Sequence, residues 1–210
     1  SQHLLSIIND VLDFSKIEAS QIQIEESNFD VSTLIGQVTS LLANRFDDKH
    51  LYLKLDIDPS LNHQIVHGDA LRLKQVLLNL MGNAEKFTHR GGVTLRATLD
   101  ARQEEHWVLR FQVSDTGIGI QNDQISRLFL PFEQAEASTS RRFGGTGLGL
   151  SISHKLVQLM GGDMGVTSQP GQGACFWFTV NVKPGQVIEL AHDQPSAETS
   201  LARLRAQYAG

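Results

Sequence analysis

The residues best suited to chemistry lie at helical spacing near the middle of the chain: Asn79, Asn83 and Lys86. At about 100° per residue, their side chains fall within roughly 60° of one another on one face of a helix. Carboxamide oxygens are neutral, hard ligands that suit Mg²⁺, and a lysine ammonium group suits phosphate oxygens. A polar, exposed stripe opposite the core explains the spacing equally well, so spacing alone leaves both interpretations open.

A second candidate site is the sequence DTGIGI, residues 115–120, which directly follows a predicted strand. A carboxylate at a strand end, here Asp115, can accept a hydrogen bond from an exocyclic amine such as that of adenine. Gly117 and Gly119 would let the backbone approach a flat ring closely. A tight turn with no ligand accounts for the same residues, and on this motif alone it is the simpler interpretation.

The third candidate site is GGTGLGL, residues 144–150, at the start of a predicted helix and just after Arg141 and Arg142. Successive backbone N–H groups at a helix N-terminus favour anions, and arginines can reach a terminal phosphate. The motif is neither a Walker loop, since no G-K-[S/T] follows, nor a dinucleotide fingerprint, since no strand precedes it. A flexible hinge loop is the alternative. Together the three motifs contain the parts of an ATP pocket.

The elements that must position these motifs follow from hydrophobic periodicity. We predict a bundle-type helix over 3–19 and a second helix over 28–45, with Leu34, Val38, Leu41 and Leu42 on its apolar face. Asp69 is predicted to cap a helix that ends near Phe87, with Leu73, Val76, Leu77 and Leu80 in the core. Further helices are predicted over 121–130 and 148–160, a loop over 133–147, and strands over 51–58, 65–69, 91–100, 106–115, 163–168 and 174–182. This order predicts an α/β two-layer sandwich, a mixed sheet with helices on one face, preceded by a single helix.

Composition excludes several classes of function. The 210 residues carry 18 Lys and Arg against 23 Asp and Glu, a net charge of −5, which argues against binding nucleic acid through bulk charge. One cysteine, Cys175, excludes an internal disulfide framework and suggests a reducing compartment. No apolar run approaches the roughly 20 residues of a membrane helix, so we expect no membrane contact by this fragment. We expect this portion to be cytoplasmic and leave a membrane anchor open for the full-length protein. The opening SQHLLSII begins within a helical pattern, as in a piece of a longer protein.

Four stretches resemble a known family when they are taken in order: NLMGNAEKFT (79–88), DTGIGI (115–120), FLPFEQ (129–134) and GGTGLGL (144–150). They resemble the N, G1, F and G2 boxes of sensor histidine kinases. Residues 3–25 are similar to the second dimerisation helix of that family and its link to the catalytic domain, and FSKIEA and PFEQ are similar to hybrid-type kinases. The resemblance implies a Bergerat-type ATP-binding fold with ATP and Mg²⁺ as ligands.

The resemblance also implies roles for single residues. It makes Asn83 the Mg²⁺ ligand and Asp115 the reader of the adenine amine, while Phe129 and Phe132 support an ATP lid over 133–147. Core packing is the alternative for both phenylalanines. The implied ATP-binding residues are Asn79, Asn83, Lys86, Phe87, Asp115, Gly117, Gly119, Ile120, Arg142, Gly145, Thr146, Gly147, Leu148 and Gly149.

The chain departs from the family pattern in two places. None of its eight histidines has the sequence context of the family's phosphoacceptor, so we expect the acceptor to be absent and the fragment not to phosphorylate itself. Ala174 and Cys175 stand where many relatives carry Ser or Thr near the adenine.

The predicted domains are an incomplete dimerisation hairpin over 1–22, a catalytic domain over 23–184 and a linker over 185–210 that could lead to a receiver domain. The expected partners are a histidine-bearing helix of the same protein, a response regulator or receiver domain, and a second copy in the full-length protein.

Three functions remain open from the sequence. The leading one is the ATP-binding catalytic domain of a histidine kinase, which transfers the γ-phosphoryl group to a histidine. The second is a nucleotide-regulated interaction module without phosphotransfer. The third is an ATPase of the gyrase or chaperone type, in which a general-base glutamate stands where this chain has Asn79, a residue that cannot deprotonate water.

Overall fold

A computed structural model describes residues 8, 11–17, 19, 21–133 and 146–186. Seven strands form one mixed sheet: β1 (Ser27–Asp30), β2 (Tyr52–Ile57), β3 (Ile65–Gly68), β4 (Gly92–Arg102), β5 (Trp107–Asp115), β6 (Met164–Ser168) and β7 (Ala174–Pro184). Their spatial order is β1-β3-β7-β5-β4-β2, with β6 paired to β7. The pair β2–β4 is parallel, and the other pairs are antiparallel.

Within the described residues, three helices cover one face of this sheet: α2 (Val31–Asp48), α3 (Ala70–Phe87) and α5 (Gly149–Leu159). Two shorter helical segments are α1 (residues 11–17) and α4 (Asn122–Ile125). Strand residues that point towards α2, α3 and α5, such as Leu95, Phe111 and Phe178, are buried in one core, whereas the opposite face carries Arg96 and Arg110. The two-layer fold class predicted from the sequence is confirmed. No helix in the described ranges is both long and apolar enough to cross a membrane.

Helix α3 forms as the sequence predicts, because its start is capped and its apolar residues recur at helical spacing. Asp69 accepts a hydrogen bond from the Arg72 N–H at 2.9 Å through one carboxylate oxygen and from the Glu25 N–H at 3.0 Å through the other. The first bond satisfies one of the free N–H groups at the helix start. The second fixes the segment that leads from α1 into the sheet. All four predicted core residues of α3 are buried.

The helix predicted over 28–45 is wrong at its start. Residues 28–30 belong to β1, which pairs with β3, and α2 begins at Val31 because Asp30 caps it through the Thr33 N–H at 2.6 Å. A strand of four residues is too short to show an alternating pattern. Leu41, predicted on the apolar face, is 61% exposed because it lies about 80° from the centre of the face that Ile35 and its neighbours bury.

Two other predictions differ at their boundaries. The short helix predicted over 121–130 is limited to the four residues of α4, and turns follow it. The last helix runs over Gly149–Leu159, one residue shorter at each end than predicted. Residues 134–145 of the predicted loop lie outside the described residues.

Candidate functional site

Helices α3 and α5 meet at Asn79. The Asn79 side-chain amide donates to the buried Ser153 Oγ at 2.8 Å. The Asn79 amide oxygen lies directly against Gly149, the first residue of α5, where an added Cβ would be 2.6 Å from that oxygen. The start of α5, with its free N–H groups, is therefore held beside the polar face of α3.

Asn83 stands one turn further along the same face of α3, as predicted. Its side-chain nitrogen donates to the Asn79 amide oxygen at 3.4 Å. The side-chain oxygen of Asn83, Oδ1, is an acceptor and does not take part in this bond. No group of three His, Cys, Asp or Glu residues that could hold a metal occurs in the described part of the chain. A neutral amide oxygen fits Mg²⁺ when phosphates and water supply the other ligands.

Lys86 and Phe87 occupy the last turn of α3. The Lys86 ammonium lies 5.1 Å from the centroid of the Phe87 ring, within the range of a cation–π contact. Burial lowers the pKa of Lys86. An anion beside the ammonium would favour its charged form and act against that shift.

Asp115 ends β5, and two backbone amides bind one of its carboxylate oxygens. The Gly117 N–H donates to Oδ1 at 2.8 Å and the Ala174 N–H donates to the same atom at 3.4 Å. Burial raises the pKa of the Asp115 carboxyl despite these two bonds. In the described part of the chain, Oδ2 is the oxygen that remains to accept a hydrogen bond from a ligand.

The loop after Asp115 is held from both sides. An added Cβ at Gly117 would be 2.5 Å from the Phe87 carbonyl oxygen, so the loop lies against the end of α3. Gly119 has φ +70° and lies against the Gln169 carbonyl in the β6–β7 turn, where a Cβ would be 2.1 Å away. The Ile120 N–H donates to Ser168 Oγ at 2.9 Å. The Phe87 carbonyl thus contacts the loop from the α3 side, and the Ile120 N–H ties the loop to the β6–β7 turn.

The segment that enters α5 returns close to the preceding turn. Gly147 has φ +71°, and a Cβ there would be 3.0 Å from the Glu133 carbonyl oxygen. The Leu148 N–H donates to Thr146 Oγ at 3.2 Å, and the Leu148 side chain is buried. The predicted site residues Arg142 and Gly145 lie outside the described residues.

The two phenylalanines of the predicted F box differ. Phe129 packs against the core, with its ring centroid 5.2 Å from that of His154 on α5. Phe132 is 66% exposed, with φ +63°, and its ring meets that of Phe14 on α1 edge-on at 5.7 Å. Core packing is therefore the wrong interpretation for Phe132.

Comparison with known proteins decides the family. The model for histidine kinase-, DNA gyrase B- and HSP90-like ATPases matches residues 68–184, more than half of the chain. The chain belongs to this family. The histidine kinase resemblance predicted from the sequence is confirmed.

Curated relatives place the domain among the kinases of that family. The histidine-protein kinase BarA of Escherichia coli (strain K12) is 45% identical over 204 residues, which is 96% of this chain and 22% of BarA. Sensor protein GacS of Pseudomonas syringae pv. syringae is 44% identical over 184 residues, which is 87% of this chain and 20% of GacS. The chain thus spans about a fifth of the length of these relatives. Their names favour a histidine kinase catalytic domain over an interaction module.

A solved structure shares the fold of this chain. Full-length ShkA in complex with AMPPNP superimposes with a TM-score of 0.74 at 38% identity, over 87% of this chain and 36% of ShkA.

Sequence reasoning missed two groups that support this candidate site. Ser153 holds the Asn79 amide, and it could have been found because it lies four residues after Gly149, on the same face of α5. The Ala174 N–H binds Asp115, but a backbone amide can come from any residue type, so the sequence carries no signal for it.

A cavity of about 230 Å³ lies away from the site. Phe29, Leu73, Leu159 and Val180 are among its lining residues, and it contains none of the motif residues. The candidate site is therefore the place where the motifs converge, and this cavity is not part of it.

Proposed function

We propose that this domain binds Mg²⁺·ATP between α3, the 115–120 loop and the start of α5, and that the protein transfers the γ-phosphoryl group to a histidine. The observation that carries the proposal is that both glycine-rich motifs contact α3. Asn79 lies against Gly149, and the Phe87 carbonyl lies against Gly117. One helix thus brings together a base-reading carboxylate, amide oxygens and a phosphate-binding helix terminus.

The adenine end of the site is proposed at Asp115. With Oδ1 bound to two backbone amides, Oδ2 would accept a hydrogen bond from the adenine amine. A half-buried carboxylate that is already fixed by hydrogen bonds can discriminate between donor and acceptor groups on a base, because a mismatched polar group would be left unpaired.

The phosphate end is proposed at the polar face of α3. The Asn83 carbonyl oxygen would hold Mg²⁺, with Asn79 beside it, and Lys86 would contact phosphate oxygens. When bound, Mg²⁺ supplies positive charge that offsets the charge of the triphosphate. The free N–H groups at the start of α5 would act in the same sense.

In the proposed transfer step, a neutral imidazole nitrogen attacks the γ-phosphorus atom. A nitrogen–phosphorus bond forms, the bond to the bridging oxygen breaks, and ADP leaves with the electron pair. The imidazole proton passes to a base outside this chain, and the chain's contribution is mainly to hold the reacting groups in place.

We propose that the acceptor histidine lies on another helix of the full-length protein, with residues 1–22 as its partner helix and residues 185–210 as a linker. The exposed apolar residues Ile8, Val11 and Leu12 of the first helix favour pairing with a second copy. A response regulator or receiver domain would take the phosphoryl group from the histidine, and the reaction would occur in the cytoplasm, where ATP is present.

Calorimetric titration of this chain with a non-hydrolysable ATP analogue, with and without Mg²⁺, tests the binding step. We expect saturable binding that Mg²⁺ strengthens and that Asn83→Ala weakens by roughly tenfold. Asn62→Ala is the matched control, because Asn62 lies beyond the end of β2 opposite to the site and should leave binding unchanged. No binding at millimolar nucleotide would contradict the proposal.

The transfer step needs a separate experiment, in which a histidine-bearing helical hairpin of a relative is mixed with the chain and radiolabelled ATP. Acid-labile label on the hairpin is the expected result. Nucleotide binding without any transfer would favour the interaction module, and steady release of inorganic phosphate would favour a gyrase- or chaperone-type ATPase.

A further inference from the structure

The C-terminal turn of α3 presents backbone groups that need partners. In any α-helix the last four carbonyl groups lack a donor within the helix, and here they belong to residues 84–87. Thr88 Oγ donates to the Ala84 carbonyl at 2.7 Å, and the Phe87 carbonyl lies against Gly117. The other two carbonyls, those of residues 85 and 86, lie beside a side chain from another helix.

Lys49 of the neighbouring helix supplies that contact. It is the C-terminal cap residue of α2, and its ammonium donates to the Glu85 carbonyl at 2.8 Å and lies 3.5 Å from the Lys86 carbonyl. The same ammonium is 2.7 Å from Glu85 Oε1. A cation at this position also interacts favourably with the negative end of the α3 dipole.

Glu85 carries a buried charge that two cations of α2 compensate. Only 4% of its side chain is exposed, and besides Lys49 it forms an ion pair with Arg45 of α2 through Oε2. A buried carboxylate is costly unless it is paired. On α3 it points about 120° away from Asn79, so it does not belong to the face that we assign to the nucleotide. The ion pairs therefore link α2 to the last turn of α3, on the side that faces away from the proposed nucleotide site. Lys86 and Phe87 belong to the same turn.

We propose that Lys49 is a positioning residue for the nucleotide site: it binds the carbonyls and side chain of the last turn of α3 and so fixes where Lys86 and Phe87 stand. This inference rests on the proposed function, because it assigns those two residues to nucleotide binding. Lys49 itself lies outside all of the motifs, and the contacts of its ammonium are with the last turn of α3.

Lys49→Met tests the proposal, because it keeps the length of the side chain and removes its donors. We expect the dissociation constant of the non-hydrolysable ATP analogue with Mg²⁺ to rise roughly tenfold in calorimetric titration. A variant that is only less stable would show a lower binding stoichiometry with an unchanged dissociation constant. If Lys49→Met does not fold, Lys49→Gln, which keeps one donor group, replaces it in the same comparison.

Two further variants serve as controls. Lys49→Arg keeps the charge and the donors and should restore the affinity to within about threefold of wild type. Lys74→Met removes another lysine contact between the same two helices, the 3.3 Å bond from Lys74 to Gln37, at the opposite end of α3. It should leave the dissociation constant unchanged.

A double-mutant cycle asks whether Lys49 acts through Lys86. In the Lys86→Met background, Lys49→Met should raise the dissociation constant by a clearly smaller factor than in wild type. Equal factors in both backgrounds, or no effect of Lys49→Met at all, would overturn the inference. Failure of wild type to bind nucleotide would instead overturn the proposed function, so the two failures are distinguishable.

Discussion

The amide oxygen of Asn79 occupies the space that a side chain at Gly149 would need. A Cβ built on Gly149 would be 2.6 Å from that oxygen, which is closer than any real Cβ contact. The glycine leaves room for the Asn79 amide between the two helices. A special backbone conformation is not the reason for glycine here, because Gly149 lies within an ordinary helix and has no positive φ. This contact brings the start of α5 to the polar face of α3.

Gly149→Ala should accordingly push the Asn79 amide aside and break its hydrogen bond with the buried Ser153 hydroxyl. We expect a loss of about 1–3 kcal/mol in the free energy of unfolding, because a buried polar group loses that bond, together with weaker binding of an ATP analogue. Urea unfolding and calorimetric titration measure the two effects.

Gly36→Ala is the matched control for that experiment. Gly36 is also a helical glycine, but a Cβ there would meet nothing within 4 Å. Alanine should therefore raise the free energy of unfolding by about 0.5–1 kcal/mol, through helix propensity alone, with binding unchanged. Equal effects of the two substitutions would show that the Asn79 contact has no energetic role.

Asp115→Asn should change which base the site accepts. The amide oxygen of the new residue would take the place of Oδ1 beside the N–H groups of Gly117 and Ala174, so its NH₂ group would point to where Oδ2 now lies. A donor would then face the adenine amine, which is also a donor. We expect ATP affinity to fall by roughly 10- to 100-fold and affinity for inosine triphosphate, which has a carbonyl at that position, to fall much less. Competition titrations with both nucleotides measure the two losses. An equal loss of affinity for ATP and inosine triphosphate would contradict this orientation of the amide.

The raised pKa of Asp115 predicts a pH dependence of stability. Because burial raises the pKa above the ordinary value of 3.8, the folded state binds the proton more tightly than the unfolded state does. The stabilisation is therefore fully present below pH 3.8 and is lost as pH rises through the folded-state pKa. Asp115→Asn cannot titrate and should lack this change. Urea unfolding of both proteins at several pH values measures it, and parallel curves for the two proteins would contradict the prediction.

The parts of the fold that the sequence predicts correctly are those with long periodic patterns. Helix α3 and the β4–β5 pair each extend over many residues with a consistent apolar face, so few alternatives compete. The four-residue strand β1 is too short to show such a pattern, and its pairing with β3 depends on a residue nearly 40 positions away. Local sequence contains no information on such a partner.

In the candidate site, too, the sequence predicts the features within one helix and misses the contacts between helices. The common face of Asn79, Asn83 and Lys86 follows from helix geometry, and the structure brings Asn79 to Gly149 and Phe87 to Gly117. The ion pairs of Glu85 with Arg45 and Lys49 connect two helices, and helical spacing cannot predict them. The structure, and not the sequence pattern, therefore shows which side chains of different elements are in contact.

The backbone at Phe132 predicts an unusual order of stability. Its φ of +63° is a left-handed conformation that costs a residue with a Cβ about 1 kcal/mol and costs glycine much less. Both Phe132→Ala and Phe132→Gly remove the ring contact with Phe14, so their difference reports on the backbone alone. Phe132→Gly should be more stable than Phe132→Ala by about 0.5–1 kcal/mol in urea unfolding.

Phe129 provides the matched comparison, because it lies three residues earlier and is not among the residues with positive φ in the described ranges. There the ordinary order should hold, with Phe129→Ala more stable than Phe129→Gly, since glycine loses more conformational freedom on folding. The opposite order at the two positions would place the strain at Phe132, beside Gly147 at the entrance to α5. The same order at both would mean that the turn relaxes and that the Phe14 contact alone holds Phe132 in place.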